Sequence, residues 1–274
     1  MSALANMQLA ATTRRLSELK RVVDLPLLNG GTFTWTYIDP LKLMSAVVQE
    51  CPGVRAAYTE AARRSPPGPG TPWRMIVGFD EFMPGNKLSL QKSRKTMVVS
   101  FTFAELGQAA VTNGIMWHTA VTIRASVIGK IRGGFPTVLR EFLSHILFSS
   151  SGLRTGGVCL ELTSGPTLVF ARLANLLSDG DGLRQAFDWV GASGLKPCLK
   201  HWNVFKKGSD LANRRPGCVE ISCSDPSQFK PWAPVDLASS VDRICAVAGH
   251  VAARTMAKIR LTEMEQAVGF PPEP

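Results

Sequence analysis

The chain has 274 residues, 45% of them hydrophobic and 19% charged, with a formal net charge of +10. That is long and apolar enough for one large domain or a domain plus an appendage, and too apolar for a disordered chain. The basic balance points to a negatively charged partner, most simply nucleic acid, although many basic proteins are merely kept soluble by their charge.

A mean hydropathy of +0.06 prompts a search for membrane spans. The longest apolar stretches, residues 158–162 and 167–177, are broken by Glu161, Gly165, Pro166 and Arg172. None reaches the ~18–20 residues that a spanning helix needs. Arg14, Arg15, Lys20 and Arg21 interrupt any signal-peptide pattern, which predicts a chain that is neither secreted nor membrane-bound. Cys51, Cys159, Cys198, Cys218, Cys223 and Cys245 are widely spread, which fits reduced thiols in the cytoplasm or nucleus rather than a disulfide scaffold.

Residues 1–64 read as a helical segment. Thr12 or Thr13 can cap a helix over 14–23, with Leu16, Leu19 and Val23 at helical spacing. Asp39-Pro40 opens a second helix over 41–50, and Pro52 opens a third that ends at Arg64. The run Ser65-Pro66-Pro67-Gly68-Pro69-Gly70-Thr71-Pro72 can continue neither helix nor sheet and reads as a linker or domain boundary.

From Trp73 the period changes to two. Strands are predicted over 73–82, 95–103 and 117–128, the last with Trp117, Thr119, Val121 and Ile123 on one face and His118, Thr122 and Arg124 on the other. Gly133-Gly134 precedes an apolar helix over 136–148. Strands follow over 157–163 and 167–177, then a helix over 182–190. A Cys/His-bearing insertion over 191–234 and a C-terminal segment over 235–274, helical over 235–264 and then a tail, complete the order. Short turns between the first strands imply antiparallel pairing, and the intervening helix implies a later parallel strand. The expected fold is therefore α/β, in the α+β sense: a mixed sheet over 73–190 flanked by helices.

Three groups of residues could carry chemistry. The strand over 73–82 delivers Asp80 and Glu81 into a turn with Pro84, Gly85, Asn86 and Lys87, and a carboxylate so fixed suits a hard cation such as Mg²⁺ or Mn²⁺. Asp80 equally suits the role of a strand-end acid that caps a turn. Asp179 and Asp181 end the strand-like run over 167–177 and could bind metal or form an Asx turn. The rest of a calcium loop is missing, since Leu183 and Phe187 stand where ligands should. Carboxylates from two strands can hold two metal ions about 3.5–4 Å apart and activate water or a 3′-hydroxyl on a phosphodiester. A third acid would come from Glu263 or Glu265, both of which also read as exposed helix acids.

The third group is Cys198-x2-His201, sixteen further residues, then Cys218-x4-Cys223, a spacing able to close a tetrahedral structural Zn²⁺ site or simply to supply buried strand residues. The loop between carries Lys206, Lys207, Arg214 and Arg215, and Arg94-Lys95 precedes the second strand; all six could meet phosphate. No phosphate-loop, G-x-G-x-x-G or G-x-S-x-G motif is present, and His118, His145 and His250 are isolated.

Residues 73–106 resemble the first β-hairpin of DDE/D-class transposases, especially the Plavaka-type branch of the CACTA group. There an Asp on the first strand precedes a Gly-Asn-Lys turn, as Asp80 precedes Gly85-Asn86-Lys87 here. Residues 176–198 are similar to that group's second block, with Asp179 after a strand, a Gly/Lys turn over 191–196, and Cys198 with His201 in place of a Cys-x2-Cys. The resemblance covers roughly residues 35–230. It implies a ribonuclease-H-like fold, Mg²⁺- or Mn²⁺-dependent cleavage and joining of DNA strands, a nuclear site of action and a DNA partner, and leaves room for a homo-oligomer. Asp80 and Asp179 would be its metal-binding carboxylates, and Cys198 and His201 half of a zinc knuckle. Because the sequence ends soon after Glu265, the expectation is a truncated or degenerate copy, inactive alone. The alternative is a non-catalytic binding or scaffold protein on the same fold.

Overall fold

A computed structural model describes residues 17–83, 95–187, 197–198, 200–209, 216–233, 246 and 253. The chain divides into two compact units, Met1–Ser178 and Asp179–Pro274. The first is a mixed α/β assembly built on a four-stranded sheet.

The N-terminal segment departs from the helical expectation. Lys20–Pro26 (β1) and Thr32–Ile38 (β2) pair as an antiparallel hairpin. Helical spacing from Leu16 to Val23 competes with a period of two, and the second wins because Arg21, Val23 and Leu25 face Tyr37, Trp35 and Phe33 across the hairpin. The Trp35 and Tyr37 rings stack at 4.2 Å. Gly30, at φ +84°, supplies the left-handed backbone of the connecting turn, and Asn29 Oδ1 accepts from the Gly31 N–H at 3.0 Å.

Two helices follow as the sequence predicts. Pro40–Glu50 (α1) is capped by Asp39, whose Oδ1 accepts from the N–H groups of Leu41 at 3.0 Å and Lys42 at 3.2 Å. Leu41, Met44 and Val48 form its buried stripe. Pro52–Arg64 (α2) starts with Pro at N1 and buries Val54, Tyr58 and Ala61. The Pro/Gly run over 65–72 is an internal turn of the first unit. Thr71 Oγ1 donates to the Pro66 carbonyl, Trp73 Nε1 donates to that of Ser65, and Trp73 N–H to that of Phe170.

Trp73–Phe82 (β3) and Thr96–Phe103 (β4) match their predicted runs, and His118–Arg124 (β5) is followed by a helical turn at Ala125–Ile128 rather than more strand. Between Val99 and Ser100 the β4–β5 register shifts, so Ala120 is extra. That bulge is why His118, Ala120, Val121 and Ile123 are all buried, against the simple alternation the sequence suggests. Gly134–Leu143 (α3) runs into a π-helical turn, Ser144–Phe148, that buries His145, Ile146 and Leu147 together. Val158–Leu162 (β6) and Gly165–Val169 (β7) form a separate hairpin, and Ala171–Leu177 (β8) returns to the main sheet. The single predicted strand over 167–177 is thus two strands, which join different sheets.

The main sheet has the order β5-β4-β3-β8, with β4 antiparallel to both neighbours and β8 parallel to β3. One face is the core: Trp73, Met75, Val77 and Phe79 of β3 and Met97, Val99, Phe101 and Phe103 of β4 are buried with Tyr58, Phe135, Val138 and Phe142 from the helices. Phe79 meets Phe135 at 5.6 Å, and Trp73 meets Phe103 at 5.6 Å.

The second unit holds Gly180–Phe187 (α4) and a pair of two-residue parallel strands, Val204–Phe205 (β9) and Val219–Glu220 (β10). Asn203, fully buried, ties it together: its Nδ2 donates to the carbonyls of Gly217 at 2.7 Å and Gln228 at 2.8 Å, and its Oδ1 accepts from Lys230 N–H at 2.8 Å. Apart from Ala246 and Ala253, the helix expected over 235–264 lies outside the described residues.

Candidate functional site

Period-two alternation places Arg74, Ile76, Gly78, Asp80 and Phe82 on the face of β3 opposite the core. Register carries this face across the sheet. Gly78 is level with Leu177, Ser100 and Thr119; Asp80 with Val98 and Thr122; Phe82 with Thr96 and Arg124; and Arg74 with Arg172. Asp80, Phe82, Thr119, Thr122, Arg124, Arg172 and Leu177 are exposed here, while Ile76 and Thr102 are buried. Ser100 Oγ and Thr119 Oγ1 share a hydrogen bond at 2.8 Å.

Asp80 lies near the C-terminal end of the central strand, and its Oδ1 accepts from the Glu81 N–H at 2.7 Å. Glu81 projects to the other face, where its Oε2 accepts from Lys95 Nζ at 2.6 Å. Lys95 is therefore engaged with an acid at the β3–β4 end. Its expected neighbour Arg94, with the Gly85-Asn86-Lys87 turn, lies outside the described residues.

Asp179 belongs to the second unit, two residues past β8 in sequence. Its Oδ1 accepts from the Gly182 N–H at 2.6 Å, the helix-capping arrangement that was the alternative to metal binding. Asp181 stands 3.9 Å from Arg184 on an exposed helix face. Glu263 and Glu265 lie outside the described residues.

Among the described residues no group of three or more His, Cys, Asp or Glu side chains stands together as a metal-ligand set. For Mg²⁺ or Mn²⁺ the outer face of β3 thus supplies one exposed carboxylate, Asp80, which is short of a complete set. For zinc, the Cys198 Sγ and His201 Nδ1 are 3.1 Å apart. Ligands on one tetrahedral zinc would be about 3.5 Å apart, so the two side chains are near enough to share an ion but are drawn here into a direct hydrogen-bond contact. Cys218 directly precedes β10, and Cys223 Sγ is oriented toward the Asp225 carbonyl at 3.6 Å; the described residues do not gather these two with the first pair as one cluster. Lys206 and Lys207 are exposed, and Arg214 and Arg215 lie outside the described residues.

Two buried histidines have structural partners. Tyr58 Oη and His118 Nε2 are 2.7 Å apart in the core, where burial pushes the Tyr58 phenol up and His118 down to about 4. His145 Nε2 is 3.1 Å from Asp39 Oδ2. Burial alone would raise Asp39, but His145 and the N–H groups of Lys42 and Leu41 hold its carboxyl below the ordinary value.

The sequence reading missed a pairing beside Asp80. Gly78 has no side chain, and a Cβ built there would lie 3.1 Å from Cζ3 and 3.5 Å from Cη2 of Trp117. The indole ring therefore lies directly on the backbone of β3, anchored by Nε1 donating to the Val111 carbonyl at 2.7 Å. The available signal was a glycine inside an otherwise β-rich run, which marks a close approach.

No protein-family model matches the chain, and no curated protein matches it. Among the described residues no helix is long and apolar enough to cross a membrane.

Proposed function

We propose that the protein is a nucleic-acid-binding protein of the DDE-transposase kind, built on a ribonuclease-H-like sheet, with Asp80 as the first metal-binding carboxylate. The observation that carries this reading is the strand order β5-β4-β3-β8, with β3 central, β4 antiparallel and β8 parallel, and an exposed carboxylate near the C-terminal end of β3. A rigid strand at the centre of a sheet holds an acid with little reorganisation, which is what a divalent cation on a phosphodiester requires. DNA as partner and the nucleus as place of action belong to the same reading, supported by the net charge of +10. Structural zinc at Cys198 and His201 belongs to it as well, supported by their 3.1 Å separation.

A second reading, a non-catalytic nucleic-acid-binding or protein scaffold, is favoured by the capping bond of Asp179. One experiment separates the two. Calorimetric titration of the full chain with Mg²⁺ and Mn²⁺ is run beside Asp80→Asn and Asp179→Asn. Saturable binding lost in Asp80→Asn supports the first reading, and loss in Asp179→Asn as well adds the second carboxylate. Binding that is absent, or indifferent to Asp80→Asn, leaves the scaffold.

A further inference from the structure

We infer that Trp117 is an aromatic platform on which an unpaired nucleobase stacks beside Asp80, so that the nucleic acid engaged by this sheet face is a single strand or a frayed end. The inference rests on the nucleic-acid reading above and names the form of the substrate.

The first support is local geometry. A glycine inside a central strand costs stability relative to a residue with a side chain, and needs a reason. Here the reason is the indole ring, which would stand only 3.1 Å from a Gly78 Cβ and is fixed by its bond to Val111. Trp117 is nonetheless only part-buried, so some of this rigidly held ring is left in solvent. Preparing such a surface in advance removes the ordering cost a flexible side chain would bring to binding.

The second support is the surroundings. One step along β3 on the same face stands Asp80, and level with Gly78 lie the Ser100–Thr119 hydroxyl pair and Leu177, which is 47% exposed. Ile115, two residues before the ring, is 70% exposed. The outer strands contribute Arg124 and Arg172 on this face, both exposed. An indole with apolar edges and hydroxyls beside it complements a nucleotide: the base stacks and the hydroxyls meet sugar or phosphate, while the guanidiniums, level with Arg74 and Phe82 at the two ends of the face, neutralise backbone further along the strand. A duplex offers its bases only by their edges, whereas an unpaired nucleotide offers the π-face that this ring can use.

The test measures binding of the full chain to a short oligo-thymidylate and to the matching duplex at fixed salt without divalent metal. Trp117→Leu should weaken single-strand binding about tenfold, the size of one lost stacking contact, and leave duplex binding unchanged. Trp117→Phe should restore most of it. Equal single-strand binding by wild type and Trp117→Leu overturns the platform, and so does failure of the wild type to bind the strand. The metal titration reads the proposed function separately: metal binding through Asp80 together with an indifferent Trp117→Leu sinks the platform alone. Should Trp117→Leu fail to fold, photocrosslinking of the wild type to a 5-iododeoxyuridine strand decides. Crosslinks to Trp117 support the inference, and crosslinks only elsewhere overturn it.

Discussion

Replacing Asp39 with Ala removes two different stabilising elements at once, which makes its cost calculable. The carboxylate caps α1 through two backbone N–H groups, and loss of such a cap costs about 1 kcal/mol. It also meets His145 across the buried junction with the π-helical turn, and stranding that imidazole costs a further ~1–3 kcal/mol. The sum is about 3 kcal/mol, or a fall in Tm of roughly 6–12 °C for a unit of this size. Asp39→Asn keeps the cap and a polar group facing His145, so its cost should stay near ~1 kcal/mol. Urea and thermal unfolding of the full chain, followed by circular dichroism, measure both. Because the folded carboxyl lies below its unfolded value of about 4, the advantage of Asp39 over Asn is whole above that pH and disappears as the pH falls through the folded value. The reasoning is refuted if Asp39→Ala unfolds within ~0.5 kcal/mol of wild type at pH 7, the range of an ordinary surface change.

Four other outcomes follow from the same kind of geometry. Tyr58→Phe leaves His118 Nε2 without its partner in the core and should cost about 1–3 kcal/mol at pH 7 by urea titration. In the wild type His118 refuses a proton until about pH 4, while the unfolded imidazole takes one near 6.5; stability from this residue is therefore full above 6.5 and is lost between 6.5 and about 4, measurable as a pH series of unfolding midpoints. Gly78→Val drives a branched side chain into the Trp117 ring and should cost about 1–3 kcal/mol by overpacking, with a change in tryptophan fluorescence of the folded protein. Asn203→Ala breaks three hydrogen bonds around a buried amide and should speed hydrogen exchange of the Lys230 amide, which loses its acceptor, while leaving the first unit's melting unchanged.

Much of the first unit could be read in the sequence because its signals were local. Asp39-Pro40 and Pro52 fixed two helix starts, and the β-rich runs gave β3 and β4 almost to the residue. The errors came where tertiary pairing overrides local spacing. β1 was hidden because Leu16, Leu19 and Val23 also fit a helix, and only the cross-strand partners Trp35 and Tyr37 reveal the period of two. The bulge at Ala120 depends on how β5 sits against β4, which no single strand encodes. Residues 167–177 look like one strand, yet their two halves pair with different neighbours on either side of Phe170. At the candidate site, Asp80 was legible as a strand-borne acid, whereas the contact of Trp117 with Gly78 joins the residue before β5 to β3 and needed the sheet.

The two ties that hold the N-terminal hairpin region to α3 and its π-helical turn are Arg21 to Glu141 at 3.4 Å and Asp39 to His145 at 3.1 Å. They span 120 and 106 residues of sequence. During synthesis at ~5–20 residues per second, a newly made hairpin waits about 5–20 s before its partners leave the ribosome. Through that interval β2 lacks β5, the strand it meets in the folded unit, and a two-stranded hairpin alone is marginally stable in water. The order of translation thus gives chaperones a defined interval and a defined target: an aromatic ribbon left uncovered until the later strand and the π-helical turn are made.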